Sequence, residues 1–229
     1  MPKTTSPKTT RTSRTTKTKP SSDSLYAFDA EKRAAHGVIC GVDEAGRGPL
    51  CGPVCCAAVI LNPDNPIEGV NDSKKLTAKK RDVLFDQITA TAEAYSIAFV
   101  TAEEIDSLDI LNARMLAMNR AIEGLSIRPD LCLIDGNRDH GSSVSITAPH
   151  MCLVGGDGKS ASIAAASILA KVSRDRYVTG VLDREYPQYQ FAKHKGYGTK
   201  LHYQMLDRYG PCPEHRETFL KKWEARRRG

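Results

Sequence analysis

Residues 37–61 read GVICGVDEAGRGPLCGPVCCAAVIL, and this stretch decides the fold. Val38, Ile39, Cys40 and Val42 form one short apolar strand and Val54 to Leu61 a second, joined by a Gly- and Pro-rich connection, so the pair is expected as a hairpin. The first strand runs directly into Asp43-Glu44. On a regular strand these two side chains would point to opposite faces, so for both to reach one site the strand is expected to deform or end there, with Gly46 and Gly48 allowing the bend.

Further along the chain, Thr77 can cap a helix carrying Leu84 and Ile88, and a strand follows around Tyr95 to Val100. Leu111, Met115, Met118, Ile122 and Leu125 recur at helical spacing and are read as core. Leu131 to Ile134 and Met151 to Val154 are two more short strands, read as buried and ending in Asp135-Gly136 and Gly155-Gly156-Asp157, before a long helix from about Ser160. Thr199 to Arg228 reads as two helices separated by Gly210-Pro211-Cys212-Pro213. Paired strands followed by strands alternating with helices predict an α/β domain, a mixed sheet flanked by helices with a C-terminal helical extension. The expected organisation is a basic Thr- and Lys-rich tail over 1–20, a linker or short helix over 21–36, and a catalytic domain over 37–229.

The 229 residues are 40% hydrophobic, enough for one sizeable core, and the longest apolar run is far short of the roughly 20 residues a membrane span needs. The net charge of +6 is misleading. Lys3, Lys8, Arg11, Arg14, Lys17 and Lys19 lie in the tail without an acid, and the rest holds 27 basic against 27 acidic residues. Whole-protein charge therefore says little about a nucleic-acid footprint. The tail lacks large apolar side chains after Met1 and is expected to be solvated and disordered, and neither a signal peptide nor a transit peptide. The seven cysteines lie mostly in apolar runs without a Cys-x-x-Cys pair. They read as small core residues of a reducing, cytoplasmic compartment, and no structural zinc site is expected.

Carboxylates at the ends of three strands, Asp43-Glu44, Asp135 and Asp157, carry the chemistry. Any one alone reads best as a turn former or helix cap. If the strand ends are adjacent, four carboxylates converge, and their repulsion calls for cations between them, for which hard oxygen ligands select Mg²⁺ or Mn²⁺. A phosphate-loop nucleotidase is the alternative of a different class, because Gly155-Gly156-Asp157-Gly158-Lys159-Ser160 lies between strand and helix and misses that motif only by Leu153 in place of its first glycine.

The segment Asp43-Glu44-Ala45-Gly46-Arg47-Gly48-Pro49-Leu50, followed by Gly52-Pro53-Val54, resembles the signature of bacterial ribonuclease HII. Asn71-Asp72-Ser73-Lys74-Lys75-Leu76, Ile134-Asp135-Gly136-Asn137, Ala165 to Val172 and His194-Lys195-Gly196-Tyr197 resemble the family's later motifs in the same order, so the likeness runs from about Gly37 to Phe219. The ribonuclease HIII type, with lysine in its glycine loop and an extra amino-terminal domain, is disfavoured by Arg47 and the featureless tail. One departure is Gly155, where the family often has lysine.

The resemblance implies an RNase H-like fold, with Asp43, Glu44, Asp135 and Asp157 holding two divalent ions, Mn²⁺ or Mg²⁺. It implies that Gly46-Arg47-Gly48 reads a ribonucleotide's 2′-hydroxyl through backbone groups, that Tyr197 packs on the sugar of the following deoxynucleotide, and that Lys74 contacts substrate. Lys193, His194 and Lys195 favour an exposed, phosphate-facing loop around Tyr197 over a core position. Ser167 and Lys171 share a helix face, and Lys171 is either a phosphate clamp or a solvated lysine. The implied activity cuts the RNA strand of RNA/DNA hybrids and the 5′ side of single ribonucleotides in duplex DNA, leaving 3′-hydroxyl and 5′-phosphate ends, by a monomeric enzyme. Recruitment by a replication clamp is left open. A junction resolvase of the same fold is the nearest rival, and a non-catalytic binding module is disfavoured because clustered acids would face a polyanion.

Overall fold

The computed structural model describes residues 22–228, and the tail expectation lies outside them. The helices are α1 (Ser22–His36), α2 (Ala78–Thr91), α3 (Ala102–Leu108), α4 (Ile110–Glu123), α5 (Ala161–Tyr177), the single turns α6 (Asp183–Glu185) and α7 (Phe191–His194), α8 (Lys200–Tyr209) and α9 (Glu217–Arg228). The strands are β1 (Ile39–Ala45), β2 (Val54–Ile60), β3 (Ala94–Val100), β4 (Leu131–Asp135) and β5 (His150–Leu153). Among the described residues they form one sheet in the order β3-β2-β1-β4-β5. β1 pairs antiparallel with β2, as the expected hairpin, and parallel with β4, while β5 continues the parallel half. The mixed sheet flanked by helices and the helical C-terminal region are therefore as the sequence indicates.

Period-two alternation along the strands divides the core into two layers. Cys40 and Val42 of β1, with Cys56 and Ala58 of β2, face α4, where Met115, Met118 and Ile122 are buried against them and Leu111 and Leu125 pack at the margin. Cys55, Ala57 and Val59 face the opposite layer, where α2 contributes Leu84 and Ile88 and α5 contributes Ala161, Ala165, Ile168 and Leu169. The small residues of α5 let it lie directly on β1. A Cβ added at Gly41 would stand 2.1 Å from the main-chain carbon of Ser162.

Two local expectations change. Of the linker or short helix expected over 21–36, the described residues form the 15-residue helix α1, longer than expected, whose buried Asp29 reaches the start of α5 and accepts from the main-chain N–H of Ser162 at 2.8 Å and from its hydroxyl at 2.7 Å. β5 is half-buried along its length, not buried, because it is the sheet's edge, and Val154 lies beyond it, 65% exposed.

Asp29 also answers the phosphate-loop alternative. A carboxylate already occupies the N-terminal end of α5, where a phosphate would be held, and Lys159 folds back to donate to the carbonyl of Val154 at 2.7 Å. Thr77 caps α2, Ser160 caps α5 and Thr199 caps α8 through their hydroxyls. No helix among the described residues is long and apolar enough to cross a membrane.

The contact at Gly41 gives a direct test. Gly41→Ala should push α5 off β1 and destabilise the fold by about 2–3 kcal/mol, at the upper end of what overpacking costs, read as a lower urea midpoint. An unchanged midpoint would mean that the two elements separate freely and that this approach does not set the core.

Candidate active site

Asp43 and Glu44 reach one cleft, with Asp135 and Asp157 near enough for their charges to act on Asp43, because β1 keeps one partner after losing the other. Its parallel pairing with β4 ends at Val42↔Ile134, but its antiparallel pairing with β2 continues through Asp43↔Ala57 and Glu44↔Cys56 to Ala45↔Cys55. The expectation that the strand must deform or end at Asp43-Glu44 is thus corrected: it runs on in regular register. Alternation sends Asp43 to the α5 face and Glu44 to the α4 face, and Glu44 meets Arg114 there. The two carboxylates still share one cleft, because the sheet opens beside them where β4 stops.

Asp43 is 6% exposed and accepts the N–H of Glu44 at 2.7 Å. Burial, followed by the charges of Glu44, Asp135 and Asp157, pushes its carboxyl well above the ordinary range. Asp135, at the end of β4, accepts the N–H of Gly156 at 2.7 Å, which ties β4 to the turn Gly156–Gly158. Asp157 stands in that turn rather than on β5, is 8% exposed, and is also raised by burial and then by Asp72 and Asp135. Gly155 takes a left-handed φ of 63°, a conformation that suits glycine where the family often has lysine.

The cleft is lined by Asp43, Glu44, Gly46, Arg47, Gly48, Lys74, Ser167, Lys171 and Tyr197, with Ala45 and Ser73. Asp135 and Asp157 do not line it, but their charges act on Asp43 and Lys74. For the Lys74 ammonium, burial acts to lower the pKa, but Asp157, Asp43, Asp72 and Asp135 outweigh it and hold the value above ordinary. Lys171 is less free than a phosphate clamp requires. Burial lowers its pKa, and its ammonium is tied to Asp175 at 2.7 Å. The Ser167 hydroxyl accepts the N–H of Ser73 at 3.3 Å, which joins α5 to the segment carrying Lys74.

Tyr197 is 43% exposed. Its main chain is nonetheless pinned, its N–H donating to His194 at 2.9 Å and its carbonyl lying 3.0 Å from Nδ1 of His202. The expected reason for its exposure is only half right, because His194 is buried and its ring stacks on His202 at 4.3 Å between centroids. Lys195 is likewise committed to Asp175.

Sequence reasoning missed two groups at the site. Arg114, at helical spacing from Leu111 and Met118, lies 2.9 Å from the Glu44 carboxylate, aligned as an ion pair but not as a hydrogen bond, and donates to the main-chain carbonyl of Asp135 at 2.7 Å. An arginine on an otherwise apolar helix stripe was the available signal. Asp72, quoted only as part of a motif, interacts directly with Asp157. Burial works to raise its pKa, but the N–H of Lys74 and the ammonium of Lys75 bring it below the ordinary value.

The glycines of the loop differ. Gly46 has φ of 95°, and a Cβ there would meet the Arg174 guanidinium at 2.1 Å, whereas a Cβ at Gly48 would meet nothing within 4 Å. Glycine at 46 is required by the fold; at 48 the protein itself imposes no such requirement.

A family model described as Ribonuclease HII matches residues 40–225. The chain is 55% identical over 188 residues to a Ribonuclease HII of Burkholderia mallei, covering 82% of this chain and 86% of that one. It is 52% identical over 203 residues to a Ribonuclease HII of Caldicellulosiruptor bescii, covering 88% and 96%. Among solved structures it is similar to the ribonuclease H2 of Pyrococcus horikoshii, with a TM-score of 0.68 and 29% identity over 83% of this chain and 98% of that one.

The raised carboxyl of Asp43 predicts a pH signature. A group whose folded pKa lies above its unfolded value contributes stability at low pH that is lost as pH rises through the folded pKa. In chelator, the melting temperature of the wild type should fall relative to Asp43→Asn as pH climbs above the ordinary carboxylate range, and Mg²⁺ should reverse the order. Parallel profiles would show that the cluster is not strained by its own charge.

Proposed function

Because the chain belongs to the ribonuclease HII family, a family of type 2 ribonucleases H that are metal-dependent nucleases, we propose that its cleft cuts duplex DNA on the 5′ side of a single ribonucleotide as well as the RNA strand of hybrids. The catalytic unit is residues 37–229. The observation that carries the reading is one cleft in which the acids Asp43 and Glu44 adjoin a glycine loop and a half-exposed tyrosine. The acids supply the chemistry, and the loop and ring supply the choice of substrate.

The donor set fits hard divalent cations, since only carboxylates converge and Asp43 resists ionising without positive charge nearby. Asp43 and Asp135 would hold two such ions centrally, Mn²⁺ or Mg²⁺, with Glu44 and Asp157 completing the shells. When bound, the ions would activate the attacking water and stabilise the departing 3′-oxygen. Arg114 holds Glu44 and the Asp135 main chain in place, and Lys74 offsets part of the acids' charge at the mouth. The products are a DNA 3′-hydroxyl and a 5′-phosphorylated ribonucleotide.

Arg216 draws the carbonyls of Gly46 and Arg47 inward, so the loop offers its peptide N–H groups and the unobstructed Gly48 to the cleft. A 2′-hydroxyl is the group that separates ribose from deoxyribose, and a backbone can approach it closely only where no side chain intervenes. Tyr197 offers a face on which the next sugar can pack. Free cysteines at all seven positions accord with a reducing cytoplasm, where the enzyme acts as a monomer.

The test compares three duplexes: one with a single embedded ribonucleotide, one long RNA/DNA hybrid and one all-DNA four-way junction. The wild type should cut the first two in Mg²⁺ or Mn²⁺ and not in chelator. Cleavage of the junction alone would select the resolvase reading. Tyr197→Ala removes a stacking platform worth about 1–3 kcal/mol, so cleavage at the single ribonucleotide should fall by roughly one to two orders of magnitude. The hybrid should suffer less. An equal loss on both would make Tyr197 structural. Gly48→Ala should unfold at the wild-type urea midpoint yet lose single-ribonucleotide cleavage, and retention of that cleavage would take the loop out of 2′-hydroxyl reading.

A further inference from the structure

A second cluster of ligating side chains lies behind the glycine loop, on residues far apart in sequence. Cys51 pairs across an isolated antiparallel bridge with His215. The flanking hydrogen bonds, Arg216 N–H to the Leu50 carbonyl at 2.9 Å and Gly52 N–H to the Glu214 carbonyl at 2.8 Å, make this the close pair, in which the two side chains stand side by side. Cys212 joins them from the same turn. Cys212-Pro213-Glu214-His215 is a Cys-x-x-His spacing, closed by His215 N–H donating to the Cys212 carbonyl at 2.9 Å. Cys51 Sγ, Cys212 Sγ and a ring nitrogen of His215 all lie within 4.8 Å of one another.

The hydrogen bonds around His215 decide which of its nitrogens is available. Nδ1 of His202 lies 3.0 Å from the Tyr197 carbonyl, so it carries the proton and leaves Nε2 of His202 an acceptor. Nε2 of His215 is 2.9 Å from that acceptor and must donate. Nδ1 of His215 is then the unprotonated lone pair, directed at the Cys212 N–H at 3.0 Å and the Cys212 sulfur at 3.1 Å. A ligand histidine whose other nitrogen donates to a fixed partner is the arrangement that orients imidazole on a metal.

We propose that Cys51, Cys212 and His215 form a binding site for one zinc-class cation, distinct from the carboxylate cleft and independent of the substrate reading. Two sulfurs and one imidazole suit Zn²⁺ and discriminate against Mg²⁺ and Mn²⁺. The ion takes the position of the proton between Cys212 and His215, displaces the Cys212 N–H from the Nδ1 lone pair of His215, and on binding releases the two thiol protons. Cys212 is half-exposed, so water completes the fourth position, and a surface cavity lined by Glu103, Asp106, Pro213 and Glu217 reaches His215 as an acidic entry path. Its effect is to fasten the turn before Arg216 to Cys51, and so to brace the loop that Arg216 holds.

The experiment uses the full chain, reduced and stripped of metal, in excess Mg²⁺ to fill the cleft, with Zn²⁺ or Co²⁺ added. One equivalent of Co²⁺ should give a thiolate-to-cobalt charge-transfer band, and Zn²⁺ at about a hundredfold excess over Kd should raise the melting temperature by several degrees. Both responses should vanish in Cys212→Ser and in Cys51→Ala and persist in Asp43→Asn. If Cys51→Ala does not fold, Cys212→Ser, at a half-exposed turn, carries the comparison. Absence of the band in wild type, its survival in Cys212→Ser, or its loss in Asp43→Asn would overturn the site. So would a Cys51–Cys212 disulfide, seen by mass as the loss of two hydrogens under mild oxidant, in protein that takes up no cobalt when reduced.

Discussion

Two arginines with no exposed surface hold the working loop by its main chain. Arg174 donates to the carbonyls of Pro53, Cys51 and Lys195, and Arg216 to those of Gly46, Arg47, Pro49 and Gly52. A buried cation is costly unless its donors are met, and burial pushes Arg216 down to about 9. Every partner named here is a backbone carbonyl in a segment that neither helix nor sheet could satisfy. The arrangement therefore meets two needs at once, those of the charges and those of the carbonyls, and hydrogen bonds to a charged group contribute about 1.5–3 kcal/mol each. Because Arg174 comes from α5 and Arg216 from the turn before α9, the loop cannot move without both.

That rigidity sets the electrostatics of the cleft. β1 delivers Asp43 and Glu44 at fixed height beside Asp135, and Arg114 and Lys74 answer only part of the negative charge. Arg114 is spent on Glu44 and a carbonyl, which leaves Asp43 to share the one ammonium of Lys74 with Asp157, Asp72 and Asp135. The fold thus gathers repulsion at one end of its sheet, which a divalent ion held there, as proposed, would relieve. Carboxylates free to swing apart would bind such ions with less preference, since part of the binding free energy would go into gathering them.

The hairpin, the helix-flanked mixed sheet and the apolar stripe of α4 were legible because they rest on local pattern: apolar runs, helical spacing, glycine and proline at the breaks. The places of Asp43 and Asp135 were legible for the same reason, each lying where a strand stops or is about to, whereas Asp157 lies in the turn beyond β5. What escaped was set by tertiary partners. Glu44 needed no bend in β1, because the opening comes from β4 stopping early, a fact about a strand nearly ninety residues away. His194 looked like part of a basic loop beside two lysines, yet its ring turns inward onto His202. Cys51 and Cys212 each looked like filler, since only the bridge to His215 brings them together.

The division of labour between neighbouring positions follows from how each is confined. Gly46 is locked against Arg174 and Pro53, and there the glycine serves the fold. A Cβ at Gly48, two residues on, would meet nothing within 4 Å, and Tyr197 projects its ring from a main chain pinned at both its N–H and its carbonyl. The groups proposed to contact substrate are thus held in place without being covered, as discrimination between two sugars would require. A looser loop could reach either sugar, and a buried one neither. The same frame explains why exposure and constraint coincide here: the arginines and histidines behind the loop absorb the cost of order, so that the face toward the cleft can stay open.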